Sequence, residues 1–427
     1  MREHEPELRE DAKNLSLITG SALIAGLLTV GFFVSRAVAG PDPRPFVVEV
    51  VEIPLPEPAP QPVEPMRPVE PGTPLTGINR LYGTVTTVRG DQVTGFIRWD
   101  RNEASWTDLL DATKPRRRGG SSISGIRFGH VDRLDVTGRS SAMLTLRSGE
   151  RIELGANASD LGTGLRALIV ERADGASAEF GWRDLESVDF EAPGAAVPAE
   201  RRMFGTLRTR SGLEFTGYVT WDVDEVYSTD ILDGDADGRR MKIAFGDIAA
   251  IARNDRRSSR VTLTDGSTVV LDGTNDVDAS ISGIEVSDAT LGSVKLGWDD
   301  FDRVDFHQPV DEVAGANFDG GARLSGTVVD RFGERYTGWI TWDADEEFTW
   351  EMLNGDVGDV AFHVELGQVE RIVKSSRGST VTLRDGRSFE LSGSNDVDRG
   401  NRGITIRTDG RDFEVDWNDF TEVVFER

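Results

Sequence analysis

From about residue 79 onward, apolar residues recur at every second position in short runs that stop at Gly, Asp or Asn. That period of two places successive side chains on opposite faces and predicts short, half-buried β-strands joined by tight turns. Leu144-Thr-Leu146, Val261-Thr-Leu263 and Val381-Thr-Leu383 each run into a glycine turn, at Gly149, Gly266 and Gly386. The same three-fold recurrence marks the tryptophans. Trp99-Asp100, Trp221-Asp222 and Trp342-Asp343 follow a Gly-aromatic or Gly-apolar strand, and Trp182, Trp298 and Trp417 each precede a final strand. Aligned on these residues, the chain reads as three tandem repeats, 79–192, 200–308 and 320–427, each made of two related halves. Boundaries near Ala195 and Ala314 are expected to separate independently packed modules.

The first 78 residues follow other patterns. Asn14 to Ser35 carries no charge and is rich in Leu, Ile, Val and Phe. At 1.5 Å per residue it covers roughly the 30 Å of a bilayer core, so 14–36 is expected to be a transmembrane anchor behind a cytoplasmic tail, 1–13. A cleaved signal ending at Ala37-Val38-Ala39 and a buried soluble helix are the alternatives, and the acidic leader (Glu3, Glu5, Glu7, Glu10, Asp11) speaks against the signal. Between Pro41 and Pro74 lie twelve of the 17 prolines, interleaved with Glu, so 37–78 is expected to be an extended stalk. Inside it, the apolar run containing Phe46, Val48, Val50 and Ile53 is too sticky for a plain spacer and is a candidate partner-binding strand.

Each half follows one plan: strand, Gly turn, strand, variable hairpin, strand, a short turn with an apolar anchor, final strand. Units of about 50 residues with four or five strands suit a small barrel, which removes its edges by curling on itself. Gly333, Tyr336, Gly338, Ile340, Trp342 and Asp343 form a Gly turn, an aromatic, a second Gly, then apolar-x-aromatic-Asp. This resembles the first motif of Sm-like, or SH3-like, small β-barrels, and the resemblance implies two such barrels per repeat. The RNA-binding residues of that family are missing: the loop after the Asp reads Ala344-Asp-Glu-Glu-Phe348, and the late turn is Leu366-Gly367. The fold class is therefore all-β, with a six-bladed propeller as the alternative arrangement of the same six units.

Composition narrows the chemistry. A formal net charge of -26 repels polyanions and argues against nucleic acid as a partner. With no cysteine in 427 residues, disulfides, thiolate metal sites and Cys nucleophiles are excluded. The histidines His4, His130, His307 and His363 share no repeat position, so the expectation is a non-enzyme without an organic cofactor. Asp233, Asp235 and Asp237 before Gly238 match the front of a calcium loop, although its closing Glu is absent, Ala244 standing in that place. Asn275-Asp276 and Asn395-Asp396 read as turn-fixing pairs, with a divalent cation as their second reading. Arg116, Arg117 and Arg118 form a basic patch in an acidic protein and are a second candidate partner surface.

Together these features predict a single-pass protein of a bacterial inner membrane, its β-modules on the periplasmic side. Its expected role is a scaffold or accessory subunit that steadies a larger respiratory, photosynthetic or transport complex by binding integral membrane or envelope proteins. The alternative is a cation- or ligand-binding envelope sensor.

Overall fold

The structure, a computed structural model, describes residues 77–115, 121–156 and 160–426. The proposed anchor, the stalk with Phe46 to Ile53, and Arg116 to Arg118 lie outside the described residues. Among the described residues no helix is long and apolar enough to cross a membrane. The described residues are all-β, with thirty strands in three antiparallel sheets and, among these residues, only single-turn 3-10 helices between them.

In the first repeat the strands are β1 (Tyr82–Thr87), β2 (Gln92–Arg98), β3 (Leu109–Pro115), β4 (Ser121–Arg127) and β5 (Val131–Val136). Then come β6 (Ser141–Leu146), β7 (Arg151–Gly155), β8 (Leu168–Glu171), β9 (Ser177–Phe180) and β10 (Leu185–Phe190). The second repeat holds β11 (Phe204–Thr209), β12 (Glu214–Trp221), β13 (Ile231–Ala236), β14 (Arg239–Ala244) and β15 (Ile248–Arg253). It continues with β16 (Ser258–Leu263), β17 (Thr268–Asp272), β18 (Ile284–Asp288), β19 (Gly292–Leu296) and β20 (Phe301–Phe306). The third holds β21 (Ser325–Asp330), β22 (Arg335–Thr341), β23 (Met352–Val357), β24 (Val360–Glu365) and β25 (Val369–Lys374). Its last five are β26 (Ser379–Leu383), β27 (Ser388–Leu391), β28 (Ile404–Arg407), β29 (Asp412–Val415) and β30 (Phe420–Phe425).

Strand order departs from the expected pair of barrels. The first sheet runs β4-β3-β7-β6-β5-β10-β1-β2-β8-β9, and no sheet closes on itself. β2 pairs with β8 of the other half, and β3 bridges to β7, so each five-strand group is built from both halves. The halves have exchanged their hairpins across a central β5:β10 pair, in which Val188 faces Leu134. Six separate propeller blades are absent for the same reason.

The physical cause is local. Both hairpins of a repeat carry the same in/out alternation, so either one satisfies an open edge, and the connection decides which. After Trp99 the chain folds back sharply, bridging Trp99 to Glu103 and Arg80 to Ser105, and so carries β3 away from β2. Glycine fits this crossing. A Cβ on Gly95 would sit 2.1 Å from the Glu171 carbonyl oxygen of β8, and at the matching Gly217 and Gly338 the distances are 2.2 and 2.3 Å. Only a residue without a side chain lets the second strand lie this close to the exchanged hairpin.

The second sheet has 12 strands and the third 8, because β24 of the third repeat pairs with β19 of the second. One core accordingly runs through both repeats, with Phe215 5.5 Å from Phe362 and 6.3 Å from Phe389, centre to centre. Trp350 of the third repeat is buried in the core of the first. The expectation of independently packed modules is thereby corrected. Apolar surface on each repeat is matched by its neighbours, so the repeats bury one another.

Candidate functional site: acid loops under the tryptophans

Trp99, Trp221 and Trp342 are fully buried, and each indole nitrogen donates to a backbone carbonyl: of Asp160 (2.8 Å), Asp276 (2.8 Å) and Asp396 (2.9 Å). The residues after each tryptophan form the same tight loop. Two successive non-glycine residues take left-handed backbone angles: Asp100 and Arg101, Asp222 and Val223, Asp343 and Ala344. Such angles are unfavourable, most of all for the β-branched Val223. Buried carboxylates hold them in place. Asp100 accepts from the Arg166 amide at 2.6 Å and from its Nε at 3.0 Å, and Asp343 is held by Arg402 and Asn395 in the same way. At the equivalent position of the second repeat stands Ser282, whose amide, with Asn275, bonds Asp222. A later acid closes each loop: Asp108 accepts the Ala104 and Ser105 amides, Asp230 those of Val226 and Tyr227, and Glu351 those of Glu347 and Phe348.

Four residues beyond each tryptophan lies a glutamate, Glu103, Glu225 or Glu346, and each keeps one carboxylate oxygen buried without a hydrogen-bond partner. Burial pushes all three carboxyls up, Glu225 to about 9, and the nearby Asp160, Asp276 or Asp396 adds to the shift. Those aspartates are raised too, again chiefly by burial, Asp160 to about 8 and Asp396 to about 7. Each repeat thus carries an acid pair that cannot hold two charges cheaply. The chain pattern contained a signal for this, a Glu at the fourth place after every Trp-Asp tryptophan, which the sequence reading passed over.

The first of these pairs opens on a cleft of about 230 Å³ at the junction of the three repeats. Glu103, Asp108, Asp111 and Asp160 of the first repeat line it with Glu285, Ser293 and Lys295 of the second and His363 of the third. Asp108 is already satisfied, by Arg202 at 3.2 Å and the Ser287 hydroxyl at 3.0 Å. Burial raises Glu285 to about 7, Asp111 contributing, and lowers His363.

The sequence-derived calcium candidate takes a different form. Asp233 and Asp235 lie on strand β13 and Asp237 in the two-residue turn to β14, where Arg240 and Lys242 lie 3.7 to 3.8 Å from the first two carboxylates. Among the described residues, the acid trios whose oxygens come within 4.8 Å of one another are Asp222, Asp224, Glu225 and Asp343, Asp345, Glu346. In the second trio Arg402 already pairs with Asp343 and Asp345. Asn275-Asp276 and Asn395-Asp396, read from sequence as turn pairs, brace these two loops.

Comparison of the chain with protein-family models, with curated proteins and with solved structures gives no match.

Proposed function

We propose that this chain is a non-enzymatic, membrane-anchored scaffold whose β-array docks an integral membrane or envelope protein on the sheet face around Trp339. The observation that carries the reading is a difference between equivalent positions. Phe96 and Tyr218, the counterparts of Trp339 in the first two repeats, are 3% and 2% exposed, whereas Trp339 is 51% exposed. Phe96 lies beside Gly77 and Pro198, segments that flank its repeat. The Tyr218 hydroxyl accepts from Asn79 at 2.8 Å, and Asp311 and Val313 line the same hollow. Among the described residues nothing comparable covers Trp339.

Tryptophan is the residue type that most often anchors protein interfaces, because it buries much area at little entropic cost. Here it stands in a cross-strand row, Ser325, Trp339, Arg407, Asp412, that ends at β29, an outermost strand of its sheet. A partner strand added beside β29 would gain backbone hydrogen bonds and the tryptophan together.

Affinity purification of the full chain from detergent-solubilised membranes tests this. A stoichiometric companion should copurify with the wild type and be lost from Trp339→Ser, a change worth about 2 kcal/mol or more, roughly thirty-fold in affinity. Melting should hardly change. A wild-type chain that purifies alone, or a companion indifferent to the substitution, overturns the reading.

A further inference from the structure

We propose that the cleft joining the three repeats is a binding site for a hard divalent cation, Mg²⁺ or Ca²⁺, that keeps part of its water shell. Its floor carries Glu103, a residue 8% exposed whose second carboxylate oxygen has no hydrogen-bond partner. A buried charge without a partner is costly, and a carboxylate that lines a cleft among further carboxylates is one that a cation relieves. Asp160 and Asp111 approach from the same repeat, and Glu285 from the next. With Asp108 neutralised by Arg202, these four acids face one ammonium, Lys295, and the exposed Lys295 sits at the rim. Three negative charges remain when all four are ionised, enough for a dication and too many for the protein alone.

Donor type selects the ion. Carboxylates with a serine hydroxyl beside them suit Mg²⁺ and Ca²⁺, whereas zinc and copper favour nitrogen and sulfur. The cleft acids are not among the trios whose oxygens lie within 4.8 Å of one another, so no three of them clasp a bare ion. The volume of about 230 Å³ holds about seven waters at roughly 30 Å³ each, room for an ion that retains much of its hydration. The site goes beyond the scaffold reading and is independent of it: its oxygen donors come from the first and second repeats, so an ion there ties those two together whatever the array binds.

The test uses the full chain in mild detergent at pH 8, stripped with EDTA and titrated calorimetrically with MgCl₂ and CaCl₂ while melting is followed in parallel. One ion should bind per chain and raise the melting temperature. Glu103→Gln and Glu285→Gln should each weaken binding at least tenfold, whereas Asp224→Asn, at the exposed member of the acid trio of the second repeat, should leave it unchanged. Should Glu103→Gln fail to fold, the half-buried Glu285→Gln decides. Absence of binding at millimolar ion overturns the proposal, and so does binding that Asp224→Asn abolishes and the cleft variants do not.

Discussion

Glu103, Glu225 and Glu346 are acids held where charge is expensive, and this sets how the molecule responds to pH. A carboxyl whose pKa is raised in the folded state binds more protons folded than unfolded. Its contribution to stability is complete below the ordinary value near 4 and is lost as pH rises through the folded value. For Asp396, Glu285, Asp160 and Glu225 those folded values are about 7, 7, 8 and 9. His363, lowered by burial, acts in the opposite sense, but below about pH 6.5. Glu365 is also opposite: burial pushes it up, yet Arg127 and His130 outweigh burial and hold it low, so its effect falls in acid. Stability should therefore decline between pH 6 and pH 9, by several degrees in melting temperature, when measured with EDTA present. Thermal melts across that range check it, and Glu225→Gln should flatten the upper part of the slope. A melting temperature that climbs toward pH 9 would contradict the assignment.

At the scale of elements, the β19:β24 pair decides what can stand alone. Val294 faces Phe362 and Ser293 faces His363 across it, so removing the third repeat exposes a strand edge and uncovers Phe215. A fragment 201–308 should aggregate or remain without cooperative melting, while 201–426 should fold with β-type circular dichroism. Cooperative melting of the shorter piece would show that the shared core is dispensable. Strands, turns and tryptophans were legible in the sequence because each rests on residues close together in the chain: an alternation, a glycine, an indole with apolar neighbours. Pairing partners were not. Gly95 announced a close approach without naming β8, since two hairpins of identical pattern competed for the same edge. The acid pairs were hidden for a similar reason: Glu103 and Asp160 lie far apart in sequence, and only folding brings them under one tryptophan. Even the Asp233 motif, correct in spacing, lies along a strand and its turn, where alternate carboxylates meet Arg240 and Lys242 across the hairpin.

At the scale of the whole molecule, Arg127 gathers all three repeats. Its guanidinium donates to the carbonyls of Ala289 and Asp288, both at 2.9 Å, and its Nε lies 3.1 Å from Glu365 in an ion contact without hydrogen-bond alignment. The hairpin exchange extends the same interdependence inward, to the two halves of each repeat. Strands β1 to β5 and β6 to β10 hold one another like a clasp, since β1 lies on β10, β2 on β8 and β3 on β7. The chain that joins the halves passes through a short exposed turn around Gly138 and Arg139. Backbone continuity at that turn is therefore not what keeps the repeat together. A protease site inserted there and cut in the folded protein should give two bands under denaturing electrophoresis and a single peak in native size exclusion. Two native peaks would mean the strands part once the link is severed. A clasp of this kind tolerates a break in the very loop where a barrel pair would come apart, and it makes the first repeat a natural place to split the protein into complementing pieces.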